Sequence, residues 1–178
     1  MPAKPKPVRI VAPVTTGELA VRLVRGPGLF SHLISWWGGP YDGYSHADIR
    51  MPDGRWLGAR SDRISGPPGV QIRPADYGVW QRQTLFTRSV SVDEQARWLA
   101  AAQAKIGTAY DRAGILRLIL GEKPVADGKD FCSCLVIVVG QEIGRIPREL
   151  TQAPEDVSPN GLGLGLSMGG WAMTEIPV

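Results

Sequence analysis

Apolar and polar residues alternate over residues 17–26, with Leu19, Val21 and Leu23 on one side and Arg22 on the outward side, the period of a half-buried strand. Over 29–37 the period lengthens: Phe30, Leu33, Ile34 and Trp37 recur at helical spacing, and Gly38-Gly39-Pro40 supplies a stop. Two strands are then expected at 45–51 and 55–60, joined by Pro52-Asp53-Gly54, where Asp-Gly provides the positive φ of a tight hairpin turn. Residues 69–73 and 81–88 are two further strand candidates, separated by Pro74 and Gly78. After Arg88 the period changes again. Ser91 and Glu94 form a capping-box pattern, Val92, Ala96, Leu99, Ala102 and Ile106 make one apolar stripe, and Gly107 stops it, predicting a helix over 92–106. A second helix is expected over 111–120, capped by Asp111 and ended by Gly121 and Pro124. The Val- and Ile-rich run 131–139 fits a buried strand or a buried helix. From Pro154, the Gly/Leu alternation at 161–166 predicts an irregular wrap. Strands first and helices afterwards make the expected class α+β.

Composition narrows the function classes. With 178 residues, 43% hydrophobic and 21% charged, the chain is long enough for one domain with a sizeable core. That domain is expected over 8–178, behind a Pro- and Lys-rich flexible arm at 1–7. The net charge of +3 comes from scattered Arg, and no basic run interleaves with aromatic residues, so no specific nucleic-acid partner is expected. The run Val8 to Val14 is short, broken by Arg9 and Pro13, and lacks a cleavage site; no apolar run is long enough to span a bilayer. Neither a signal peptide nor a transmembrane segment is expected. The chain then reads as cytoplasmic when made. Cys132 and Cys134 are two positions apart, which on a helix sends them to nearly opposite sides and disfavours a mutual disulfide. Two His and two such Cys make no familiar metal set, and the 161–166 glycines lack the strand and helix of a phosphate loop. No cofactor is expected.

The scarcity of His and Cys leaves few candidates for chemistry. His46 lies in Tyr44-Ser45-His46, and Cys132 in Asp130-Phe131-Cys132-Ser133. With Asp130 as N-cap, Cys132 is the second helical residue, where unpaired amides and the helix dipole favour a thiolate. Such a thiolate needs a base or imidazolium partner, and His46 sits on a predicted strand. Asp48 shares the strand face of His46, about 7 Å further along, and either orients the imidazole or shapes the pocket. Each residue has a plainer reading. A Cys beside Phe, Leu and Val is on composition alone a buried small hydrophobe, and a strand His is more often simply hydrogen-bonded. His32 reads as a surface or boundary residue, Asp53 as turn chemistry, Asp130 as a cap. Trp36, Trp37 and Trp56 belong either to the core or to a cleft rim.

Three segments in order, Tyr44-Ser45-His46-Ala47-Asp48-Ile49, Gly107-Thr108-Ala109-Tyr110-Asp111 and Phe131-Cys132-Ser133-Cys134-Leu135-Val136, resemble the permuted NlpC-type papain-like cysteine amidases, including YiiX-like and prophage-borne proteins. The likeness runs over about 18 to 165, taking in Leu57-Gly58-Ala59 and Ser158-Pro159-x-x-Leu162. It implies a circularly permuted papain-like fold, in which a small antiparallel barrel-like sheet carrying His46 packs against helices, one of them presenting Cys132 at its N-terminus. It also implies a thiol amidase or peptidase using a Cys132–His46 dyad or triad, with Tyr110 near the reacting carbonyl. Tyr110 read alone is equally a packing aromatic. Two positions depart from the family pattern. Relatives often carry His, Glu or another polar residue twelve positions after the His, where this chain has Gly58, so Asp48 is a substitute candidate for the third group. Cys134 replaces a frequent Glu. The implied substrates are peptide amides, peptidoglycan peptides foremost; an acyl lipid ester is the second substrate, and a non-catalytic binding or assembly module the alternative class.

Overall fold

A computed structural model of the chain describes residues 16–37, 43–63, 67–120, 122, 128–146 and 153–178. The expected arm at 1–7 and the stops at Gly38-Gly39-Pro40, Gly121 and Pro124 lie outside them. The elements are β1 (Thr16–Arg25), α1 (Leu29–Trp37), β2 (His46–Arg50), β3 (Trp56–Arg60), β4 (Gly69–Arg73), β5 (Arg82–Ser91), α2 (Val92–Ala104), α3 (Arg112–Leu120), α4 (Cys132–Glu142), α5 (Pro159–Met168) and β6 (Ala172–Ile176). The strands form one antiparallel sheet in the order β4-β3-β2-β1-β5-β6. This is an α+β arrangement. Among the described residues the sheet is open, with β4 and β6 at its edges, where a barrel-like sheet was expected.

Local chemistry explains the early elements. Gly54 turns the β2–β3 hairpin at φ +83°, and the register that follows sets Ile49 opposite Leu57. Val21 lies between Ile49 of β2 and Phe86 of β5, so the apolar positions of three strands line up on one face. That face joins Trp98 and Ala102 of α2, Leu135, Val136 and Val139 of α4, and Leu162 and Leu166 of α5 in one core. Each fully buried side chain of this kind contributes about 1.5–3 kcal/mol relative to leaving it exposed.

The structure corrects four expectations. Arg22 does not face outward: β1 is central, Leu19 to Val24 are all buried, and Arg22 is only 3% exposed. In α2 the capping box is present, but Val92, Ala96 and Ile106 are exposed while Trp98 and Ala102 are buried. The indole has more apolar area to hide than the smaller residues of the expected stripe, and it turns the helix accordingly. At 131–142 the run is a helix whose N-cap is Phe131, with no side-chain cap, so Cys132 is the first helical residue. Asp130 instead accepts a hydrogen bond from the Cys134 thiol at 3.6 Å.

The expected irregular tail is a helix and a strand. Ser158 accepts a bond from the Gly161 amide and Pro159 occupies the first turn, start signals that outweigh the poor propensity of the glycines. Leu162 and Leu166, one turn apart, are both buried. Gly163 lets α5 lie close to the sheet: an added Cβ would stand 3.0 Å from Leu23 and 3.3 Å from Tyr44. β6 then pairs with β5, and Trp171 packs on Trp98 at 6.1 Å between ring centroids. Among the described residues no helix is long and apolar enough to cross a membrane.

Candidate active site

His46 opens β2, and the strand is entered through a fixed corner. Asn160 of α5 accepts a hydrogen bond from the Tyr44 amide and donates to the Ser35 carbonyl of α1. Two residues later the His46 side chain stands on the same strand face as Asp48. In the β1–β2 register His46 is opposite Val24 and Asp48 opposite Arg22. Asp48 is wholly buried, and every side of its carboxylate is used. Oδ1 is 2.8 Å from His46 Nε2; Oδ2 accepts from Arg22 Nη2 at 2.8 Å and Nε at 3.3 Å. The Tyr77 hydroxyl, which donates to this carboxylate, is 2.6 Å from both oxygens and 3.2 Å from His46 Nε2. The Arg22 guanidinium itself lies over aromatic rings, its Cζ 4.1 Å from the Trp56 ring centroid and 5.0 Å from that of Tyr77.

The electrostatics follow from this packing. Burial alone would raise the Asp48 carboxyl, but the charges and hydrogen bonds of His46, Arg22 and Tyr77 hold it well below the usual carboxylate range. Burial likewise disfavours an imidazolium at His46. Asp48, by charge and hydrogen bond, and then a hydrogen bond with Cys132 outweigh it and push His46 up to about 9. The phenol of Tyr77 is pushed far up by burial and the Asp48 charge, so it serves as a neutral donor.

Cys132 is among the groups that hold the His46 imidazolium, so the imidazole and the thiol are neighbours in space although far apart in the chain. Nε2 is committed to Asp48, which leaves Nδ1 for the thiol. Cys132 occupies the first position of α4, where backbone amides are free of intrahelical partners. Tyr110 is seated beside that helix start by a short parallel bridge: the Asp130 amide donates to Ala109 and the Asp111 amide to Asp130. Its phenol is pushed well above 10 by burial and by the neighbouring Cys132.

A cleft of about 710 Å³ opens onto this group, lined among others by Ser31, His46, Arg60, Tyr77, Trp80 and Tyr110. Trp80 stacks on the His46 ring with centroids 6.2 Å apart and planes 10° apart. Cys132 itself is 1% exposed and does not line the cleft. The structure therefore joins His46 to Asp48 by a hydrogen bond and brings Cys132 and Tyr110 into their neighbourhood. It leaves His32 exposed on α1 and Trp36 79% exposed, and buries Trp56, whose indole donates to the Ala75 carbonyl. Burial and the Asp130 charge push the Cys134 thiol far up, which disfavours a thiolate there. Sequence reasoning missed Arg22, Tyr77 and Trp80. The last two lie in the 74–81 connection, which the periodicity treated only as a separator; two aromatics in a Pro- and Gly-bearing connection were the available signal.

Fold and site together define an α+β chain in which a strand-borne imidazole, oriented by a buried acid, meets a thiol at a helix start. No family model matches the chain, and no curated protein matches it. Among solved structures, the crystal structure of the metalloprotein yiiX from Escherichia coli O157:H7 superposes with a TM-score of 0.51 at 20% identity, covering 70% of this chain and 64% of that one. At that identity the likeness is one of fold, and the chain spans under two thirds of that protein's length.

Proposed function

We propose that the chain is a cysteine-dependent hydrolase of the circularly permuted papain-like, NlpC-type class, an amidase or peptidase. One observation carries the reading: a single imidazole is bonded to a buried, ionised acid and is a neighbour of the thiol that begins α4, which helps hold its proton. In the reaction Cys132 Sγ attacks the acyl carbon of an amide, and the imidazolium of His46 gives its proton to the departing amine. Water then attacks the thioester, His46 takes its proton, and the acid leaves as Cys132 is regenerated. Asp48 orients the ring and keeps a negative charge beside it throughout. The Cys132 backbone amide and the neutral Tyr110 hydroxyl are the oxyanion donors.

The cleft wall carries Arg60, Asp62 and Asp76 beside Ile34, Val79 and Trp80, a mixed lining that takes a peptide with polar and apolar parts; peptidoglycan peptides are the proposed substrate and an acyl ester the second. The related crystal structure is of a metalloprotein, but the residues of this site do not fit a metal. The Asp48 oxygens are taken by His46, Arg22 and Tyr77, a guanidinium lies 2.8 Å away, and no group of three or more metal-binding side chains occurs among the described residues.

The second reading is a binding module that keeps the fold, favoured by the 1% exposure of Cys132. Iodoacetamide at neutral pH with mass-spectrometric mapping separates the two. The proposed enzyme alkylates at Cys132 faster than free cysteine does, leaves Cys134 intact, and loses about a thousandfold or more of its hydrolysis of peptidoglycan or acyl-ester substrates in Cys132→Ala. A Cys132 no more reactive than free cysteine, together with unchanged hydrolysis in Cys132→Ala, sinks the mechanism.

A further inference from the structure

Gly58 lies on β3 where the register set by the pairs Ile49–Leu57 and Arg50–Trp56 continues to place it directly across from Asp48. A Cβ added there would overlap Asp48 Oδ1 and stand 3.2 Å from its Cγ. The glycine has no positive φ to explain it, and it sits in the middle of a strand, where a glycine weakens the element. On the other flank of Asp48 is Arg22, opposite it in the register and bonded to it through two nitrogens. We propose that Gly58 is part of the site: its missing side chain is the space that houses the Asp48 carboxylate, and Arg22 and Tyr77 fix the acid there, so that base and orienting acid come from the same strand.

This rests on the hydrolase reading for its purpose but not for its test. The backbone positions of residues two apart on a strand stand about 7 Å from one another, a gap their side chains must lean together to close. Here the carboxylate comes within 2.8 Å of the imidazole, with room over β3 to hold it and three donors converging on it. Gly58, Arg22 and Tyr77 are positioning residues, acting on the thiol through Asp48 and His46. The charged and titratable groups around the ring are Asp48 from its own strand, Arg22 from β1 behind it, Tyr77 from the β4–β5 connection, and Cys132 from α4. Arg60, whose guanidinium lies 5.5 Å from the Tyr77 centroid and 5.4 Å from that of Trp80, is the next cation.

The experiment is to place Gly58→Ala both in the native chain and in an Arg22→Met/Asp48→Ala background, which removes the acid together with the guanidinium it would strand. The readouts are the NMR titration of His46, with exposed His32 as internal reference, the alkylation rate of Cys132, and thermal unfolding. In the native chain the added methyl displaces the carboxylate: the His46 midpoint falls by roughly one pH unit or more and alkylation slows, or the chain no longer folds. In the background the same methyl enters vacated space, so the chain folds and neither the midpoint nor the unfolding temperature moves further. A native-chain Gly58→Ala with an unchanged His46 midpoint overturns the proposal, and so does a variant equally disruptive in both backgrounds. The predicted titration pattern in a protein that hydrolyses nothing would remove the proposed function and leave the positioning role standing.

Discussion

A charge sealed inside a protein costs most when its partner is taken away, because the survivor keeps the desolvation penalty without the attraction. Asp48, at 0% exposure, and Arg22, at 3%, are such a pair. Asp48→Ala leaves the guanidinium buried against Trp56 and Tyr77 with no anion 2.8 Å away, and a loss of about 3–5 kcal/mol is expected in urea unfolding. Arg22→Met together with Asp48→Ala removes both charges and keeps the apolar packing on Trp56, so the double variant is expected to be more stable than Asp48→Ala alone. A double variant less stable than the single would show that the pair is not what holds these strands together. At this scale the sequence was informative where residue type was scarce: two His and two Cys made His46 and Cys132 findable, and strand periodicity put Asp48 on the face of His46. The same periodicity sent Arg22 outward, since alternation within one strand does not say whether its polar side meets water or a second layer of protein. Tyr77 reaches Asp48 across 29 positions from a connection between strands, a relation with no local sequence signal.

Elements were legible where their ends were marked. The Asp53-Gly54 turn and the Ser91–Glu94 capping box placed β2, β3 and the start of α2. The tail shows the opposite case. Five of the ten residues of α5 are Gly, Ser or Asn, poor helix formers, and the helix exists because Leu162 and Leu166 close the core. Packing outweighs propensity here, and that is testable along one helix. Leu166→Ala, at a 1% exposed position, is expected to cost about 2–5 kcal/mol, whereas Leu164→Ala, at 63% exposed, stays within about 0.5 kcal/mol. Ser158→Ala, which removes the bond to the Gly161 amide, should cost about 1 kcal/mol. Equal losses at Leu164 and Leu166 in chemical denaturation would mean that α5 is not anchored as described. The element matters to the site because its Asn160 holds Tyr44, two residues ahead of His46.

For the molecule as a whole, the site predicts a stability that declines on the alkaline side of neutrality. His46 has an ordinary value of 6.5 and is held up to about 9 in the fold, first against burial and then by Asp48 and Cys132. Between those values the folded chain keeps a proton that the unfolded chain releases, so the contribution is complete below about pH 6.5 and is lost as pH rises through 9. Its size is on the order of 3 kcal/mol. Asp48, held low, contributes above its ordinary 3.8 and loses that contribution as pH falls through its lower folded value. Asp130, raised by burial, acts in the reverse sense over the acid range, while Glu94 and Glu175, held low by hydrogen bonds with Arg145 and Arg82, act with Asp48. Maximum stability is expected between about pH 4 and 6.5. Global charge argues the other way: the net charge is +3 at pH 7, and raising the pH brings it toward zero, relieving self-repulsion. A fall in unfolding temperature from pH 6.5 to 9 therefore identifies a local proton rather than a general charge effect. His46→Gln supplies a neutral amide in place of the imidazolium and removes that proton, so its unfolding temperature should stay level or rise over the same interval. Parallel declines in the native chain and in His46→Gln would place the proton elsewhere and dissolve the imidazolium on which the proposed chemistry of Cys132 depends.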